Sequence, residues 1–510
     1  MGPSIPRPDP APTRSSLRPP QPGGHHSGNI APHRGKADDD RRDRKKTRYS
    51  WQSVQEGAAR PTGHTGRHPP FTGSLPGPSF HFQPHGFMRF TRLSLPVSAM
   101  VALLLLAPAV LAAPFEVERF QPSPKHPLLL LAPREANRST LTIVFNVGAV
   151  DDKHVNGLTR VSLHALLHAN SRGTYESLVT AMYGAAATLE MRTGLHESRF
   201  TLTAPPQDFD ALARTLLTSI LSPKLDPRRF EATLERATND PQPLDPEVWL
   251  ELLLARTLIE DSRYKDPNIG SLYNARGIPL DAVREHVSRM LAPCNATVIA
   301  TGRFNEKALR KLVSGLRGGA VHEHPRPKLK LPYQRRALAS REVQVLAYPI
   351  HLQTPREAAA ARVLASLLEE RLFQQLRNSA VGYSFSSTPL LTTRLDVLAL
   401  VLPAAEGSGI DLSPFLREEM QAVLQGQLEP GTFERHQQST LVRLRLADRD
   451  PRRVAEELRT ARQRPAWYGP ELPTHIQSLT PEALREVASA WLSEESSIQL
   501  HFVTDLEGRK

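Results

Sequence analysis

From residue 114 onward, apolar positions recur with two alternating spacings, the short period of strands and the three-to-four-residue period of amphipathic helices. An apolar run from Leu141 to Val147, closed by Gly148, predicts a strand. Helices follow near 157–168 and 174–184, then strands near 187–193 and 197–204. Helical spacing resumes near 207–221, 227–238, 246–260 and 280–291, and a strand over Ala296–Thr301 with a helix near 305–316 closes this half. The stretch from Val321 to Ser340, with Pro325, Pro327 and Pro332 among several Lys and Arg, predicts a linker. A strand over Val343–Tyr348 and a long helix near 355–377 open the second half. Such a mixture predicts an α+β fold.

The two halves echo each other. Asp281-Ala282-Val283-Arg284-Glu285 lines up with Glu482-Ala483-Leu484-Arg485-Glu486, and each helix runs into a strand, Thr297–Ala300 in one case and Ile498–Phe502 in the other. Phe230-Glu231 matches Phe433-Glu434 at nearly the same offset. Two matches about 200 residues apart predict a duplicated domain.

Residues 1–87 lack apolar periodicity and are crowded with Pro, Gly, His and Arg, a composition that cannot offset its ordering entropy by burial. The segment after Met88 has three parts: a basic start with Arg89 and Arg92, an apolar run through Leu103–Leu106, and Ala112-Ala113. This is the pattern of a secretory signal peptide cleaved near Ala112 or Ala113, and Pro96 and Pro108 leave too short a run for a membrane-spanning helix. Met88 is then the expected start, with 1–87 an upstream extension, and the periplasm the expected location. The formal charge of +12 falls to +3 once residues 1–92 are set aside, so the basic run Arg41–Lys46 gives no reason to expect a nucleic-acid partner. The single cysteine, Cys294, excludes an intramolecular disulfide and a cysteine-rich metal site.

The candidate chemistry lies at Gly157-Leu158-Thr159-Arg160-Val161-Ser162-Leu163-His164. In an inverted zinc-peptidase motif, H-x-x-E-H, two histidines on one helix face bind the metal and the glutamate activates its water. Anchored on Gly157-Leu158, the three functional positions hold Arg160, Leu163 and His164. A guanidinium has no lone pair to offer a metal, and leucine can neither take nor give a proton. A shifted alternative uses His164 and His168, also four apart, but it places Leu167 at the glutamate position.

Taken together, the strand ending in Gly148, the Gly157-Leu158 helix, Gly173-Thr174, Gly184-Ala185, Asp240-Pro241, the strand into Gly302, and Leu376-Arg377 to Gly382-Tyr383-Ser384 resemble the insulinase/pitrilysin family of zinc peptidases, which includes mitochondrial processing peptidase and its bacterial relatives. The resemblance covers residues 114–510. It implies two homologous insulinase-like domains, each a mostly antiparallel sheet with packed helices, over 114–320 and 341–510. For the downstream acidic zinc ligand of active members the chain offers Glu235 and Asp240, whose plainer reading is as solvated residues on a helix and its end. Arg377 and Tyr383, one residue closer together than usual, stand where the family's second domain supplies an arginine and tyrosine that hold the substrate carbonyl.

The implied function is that of a catalytically inactive, exported subunit. It carries no cofactor and pairs with a homologous zinc-bearing subunit to which it contributes Arg377 and Tyr383, around a peptide or unfolded-protein substrate. Two alternatives stay open: an active zinc endopeptidase using His164 and His168, and a non-hydrolytic peptide-binding or scaffold protein.

Overall fold

The computed structural model describes residues 117–503 except 153–154, 172–174, 241, 243–245, 266, 268–276, 317–330, 339–341, 379–385, 392–394 and 404–412. The first sheet contains β1 (Glu118–Phe120), β2 (Leu128–Pro133), β3 (Ser139–Phe145), β4 (Thr188–Thr193), β5 (Ser198–Ala204) and β6 (Ala296–Gly302), in the order β1-β2-β6-β3-β5-β4. The second contains β7 (Tyr333–Leu338), β8 (Val343–Pro349), β9 (Ser386–Leu391), β10 (Asp396–Pro403) and β11 (Ile498–Val503), in the order β7-β11-β8-β10-β9. The pairs β2–β6 and β7–β11 are parallel and the other pairs are antiparallel, so both sheets are mixed.

Between the strands of the first half lie helices α1 (Leu158–His168), α2 (Tyr175–Gly184), α3 (Pro206–Leu221), α4 (Pro227–Asn239), α5 (Pro246–Leu258) and α6 (Leu280–Met290), with α7 (Glu306–Ser314) after β6. The second half adds α8 (Pro355–Asn378), α9 (Ser413–Leu424), α10 (Thr432–Ala447), α11 (Pro451–Ala461), α12 (Leu472–Ser478) and α13 (Pro481–Trp491). Leaving out β1, the two sheets correspond strand for strand, β2-β6-β3-β5-β4 with β7-β11-β8-β10-β9. The matched helices fall in equivalent places, since α6 leads into β6 and α13 into β11. β2 was not among the predicted strands, and β7 occupies part of the stretch whose prolines suggest a linker.

Each strand sends alternate side chains to opposite faces. On one face of the first sheet, Leu129, Leu131, Leu141, Ile143, Phe145, Val298 and Ala300 share a core with α1, α3, α4 and α6. On the other face, Leu130, Ala132, Val144 and Ile299 belong to a core made mostly by the second half. The helix that covers them is α11, which packs on β3 and β6, with Val454, Ala455 and Leu458 buried. The second sheet is covered in the reverse sense. Leu346, Tyr348, Leu398 and Leu400 face helices of their own half, but Val343, Val345, Ala347, Ile498 and Phe502 pack with Leu250, Leu253, Leu254 and Leu258 of α5. The halves have therefore exchanged a helix, and the central strands of both sheets are covered on both faces. That is why β3 and β6 are buried at every position.

The link from β3 to α1 positions the candidate site. Gly148 lies so close to the β4–β5 turn that a Cβ would meet the Leu195 carbonyl oxygen at 2.3 Å. Beyond it, Ala149 and Val150 donate to the Gly194 and Leu195 carbonyls at 2.9 and 3.1 Å. Gly148→Ala is expected to push the turn away and cost about 1–3 kcal/mol, read by urea denaturation. An unchanged midpoint would show that the turn yields freely.

Candidate functional site

Helix α1 starts at Gly157, whose φ of 88° lies in the left-handed region that glycine adopts without penalty. Asp152 secures the first turn by accepting from the Gly157 and Thr159 amides, both at 2.7 Å, and from the Thr159 hydroxyl at 2.6 Å. Burial nevertheless pushes its carboxyl up to about 7. Every residue from Leu158 to Leu167 is buried, so the polar groups of this helix must find partners inside the protein.

Arg160 finds them at the end of α4. Its guanidinium donates to the Asp240 carbonyl and, at 3.5 Å, to the Gln242 side-chain oxygen. Gln242 is fixed in turn by a two-way pairing with the Thr193 backbone, 2.7 Å from the amide and 2.8 Å to the carbonyl. Leu163 is completely buried in the core of the first half. His164 is 1% exposed, and its Nε2 faces an Asp240 carboxylate oxygen at 3.9 Å, too far for a hydrogen bond. Neither ring nitrogen has a hydrogen-bond partner among the described residues. Burial, and then the Arg160 and His168 charges, push His164 down to about 3, so its ring is neutral at physiological pH.

His168 lies a turn further on, its ring 5.8 Å from that of His164. Its Nδ1 sits 2.9 Å from an Arg236 nitrogen, so this side of the ring is engaged as an acceptor, and Tyr175 packs on the ring at 4.1 Å. Burial and Arg236 hold it down to about 4 against the opposing pull of Asp240 and Glu176. Arg377 is exposed in the last turn of α8, and Tyr383 lies outside the described residues.

The structure thus brings Arg160, His164, His168 and Asp240 together. The sequence offered Asp240 only as a nearby acid. Although its side chain is 69% exposed, it turns toward His164. Gln242 and Arg236 belong to no motif, and they act through contacts made 49 to 82 residues away along the chain, which spacing does not reveal.

Comparison with known proteins bears on this arrangement. Residues 277–440 match the family model for the peptidase M16 inactive domain. This stretch is similar to the inactive domain of M16 (insulinase) peptidases. Among solved structures, a protease from Helicobacter pylori superposes with a TM-score of 0.62 at 13% identity, over 76% of this chain and 100% of that one. A peptidase M16 inactive domain from Pseudomonas fluorescens gives 0.60 at 14%, over 77% and 99%. The periplasmic protease PqqL from Escherichia coli gives 0.59 at 14%, over 77% of this chain and 48% of PqqL. No curated protein matches the sequence.

The zinc of active M16 enzymes does not fit the residues of α1. At the first ligand position Arg160 presents a fixed positive charge with only N–H donors, and at the base position Leu163 presents carbon to a closed core. His164 and Asp240 remain as two donors. His168 adds a second imidazole as a third donor, but with guanidiniums on both sides of the histidine pair, Arg160 near one ring and Arg236 on the other, a dication is opposed. Among the described residues, no group of three His, Cys, Asp or Glu could hold a metal ion. No helix among them is long and apolar enough to cross a membrane.

Proposed function

We propose that this M16 homologue is the non-catalytic subunit of an exported heterodimeric peptidase. The observation that carries the reading is Arg160, which stands at the first metal-ligand position and is tied to the Asp240 carbonyl while Leu163 fills the base position. Zinc and the water-activating glutamate then belong to a homologous partner subunit, and this chain supplies substrate-binding groups. Arg377 and Tyr383 fall within the span that matches the M16 inactive domain. As a guanidinium and a phenol they can donate to the oxyanion formed when water attacks a peptide carbonyl. The leader from Met88 to Ala113 would deliver the subunit to the periplasm, the compartment of the similar E. coli protease.

The test is zinc content and peptide cleavage by the mature chain, alone and with a co-purifying zinc-bearing homologue. Alone, the chain is expected to hold no stoichiometric zinc and to cleave nothing. In the complex, Arg377→Ala and Tyr383→Phe are each expected to lower turnover about 100-fold or more without dissociating the subunits. Chelator-sensitive cleavage by the chain alone would overturn the reading. Unchanged turnover in both variants would leave the chain a scaffold.

A further inference from the structure

A cavity of about 440 Å³ lies within this single chain, where α8, β9, α10 and α11 meet the β4–β5 turn, a size suited to a small organic molecule. Two hydroxyls on its lining are buried without a hydrogen-bond partner among the described residues: Ser387 Oγ on β9 and Thr440 Oγ1 on α10, in residues 7% and 6% exposed. Thr440 is unusual in this chain. The helical threonines Thr233, Thr238 and Thr257 return their hydroxyls to the carbonyl four residues back at 2.7–2.9 Å, whereas Thr440 leaves its own unused. A third lining group, Arg362, has an unpartnered Nε although its guanidinium stacks 3.8 Å from the Trp467 ring and bonds Glu457 at 2.7 Å. Unpartnered buried polar atoms are rare in native proteins, and three of those found here belong to residues lining one cavity.

The charges around the cavity narrow the occupant. Five arginines and five glutamates line it, so it has no net sign that would favour a phosphate or a polyamine. Half of these groups pair closely among themselves, Arg362 with Glu457 at 2.7 Å, and Arg459 with Glu456 at 2.7 Å and with Glu197 at 2.5 Å. Glu369 of α8 and Arg443 of α10 do not. They stand 4.0 Å apart, beyond hydrogen-bond distance, with side chains 42% and 66% exposed. An anion and a cation thus stand side by side on the exposed part of a lining that also carries two buried hydroxyls, each able to donate or accept.

We propose that this cavity binds a small zwitterion, a free amino acid or dipeptide, with its ammonium on Glu369, its carboxylate on Arg443 and its inner polar atoms on Ser387 and Thr440. The site lies inside one chain and does not depend on the subunit reading above.

Calorimetry and thermal denaturation of the full-length chain, without a partner, test it with L-alanine, L-alanyl-L-alanine and N-acetyl-L-alanyl-L-alanine amide. At least one of the two zwitterions is expected to bind saturably at one site and to raise Tm, and the capped peptide to do neither. Glu369→Gln and Thr440→Val are each expected to weaken binding about tenfold or more, while the ligand-free Thr440→Val protein keeps or raises its Tm because an unused hydroxyl is removed. Equal binding of the capped peptide, no saturable binding of either zwitterion, or wild-type affinity in both variants would overturn the proposal.

Discussion

Glu197→Ala is expected to lower the unfolding free energy by about 3 kcal/mol, because it leaves the buried Arg462 guanidinium without its counter-charge and the half-buried Arg459 with Glu456 alone. Glu197 sits on the β4–β5 turn of the first half with its side chain 11% exposed. From the second half, Arg459 of α11 reaches one of its oxygens at 2.5 Å, and Arg462, 4% exposed, donates to the other. Urea denaturation should show the loss as a lower midpoint. By contrast, Arg284→Ala removes a pair with Asp281 in which both side chains are largely exposed, and should shift stability by less than about 1 kcal/mol.

The same carboxylate should leave a pH signature. Burial alone would raise its pKa, but Arg459, Arg462 and Arg199 outweigh burial and hold it at about 2. Its folded value lies below the unfolded glutamate value of about 4.3, so the stability it contributes is complete above that pH and is lost as pH falls toward 2. The difference in stability between the wild-type chain and Glu197→Ala should therefore shrink across this interval. A difference independent of pH would mean that Glu197 acts through packing rather than charge.

Arg160→His is expected to make the chain a zinc binder. It removes a fixed charge from the metal position, and a unit charge at about 4 Å opposes a monovalent ion by roughly 4 kcal/mol at the effective dielectric of a protein surface, more for a dication. The substituted imidazole would join His164 and Asp240, whose facing atoms at 3.9 Å can straddle one metal ion with bonds of about 2.1 Å. Affinity should rise at least about a thousandfold, measured by competition with a chelating dye. If the Arg160→His protein still excludes zinc, the neighbouring Arg236 or the position of Asp240 is the dominant obstacle. Adding Leu163→Glu should not simply complete a peptidase, because that position is fully buried and an introduced carboxyl would have no partner there.

Much of this could be read in the chain. The helix at Gly157, the strand ending at Gly148 and the repeat between α6–β6 and α13–β11 were legible because local spacing and turn chemistry specify them. The departure of Arg160 and Leu163 from the zinc-peptidase motif is legible too, because it is a matter of residue type. Other features depend on contacts that spacing does not encode. The Leu128–Leu131 run of β2 lacks the alternation of a half-exposed strand because both of its faces are covered. The prolines around β7 suggest a linker, yet Tyr333–Leu338 pairs with β11 along its whole length. The partners of Arg160 lie about 80 residues away, and only the folded chain shows that Asp240 turns its carboxylate toward His164 while its carbonyl holds the arginine.

An amphipathic pattern states that a helix has an apolar face but not which sheet receives it, and in this protein α5 and α11 are each received by the opposite half. The unit that was duplicated in the sequence is therefore not the unit that is inherited as a stable body. A recombination event that replaced one half with that of a distant relative would bring a foreign helix to one sheet and a foreign sheet to the other helix. The leucines of α5 and the strands they cover, β8, β10 and β11, are thus bound to change together over evolutionary time.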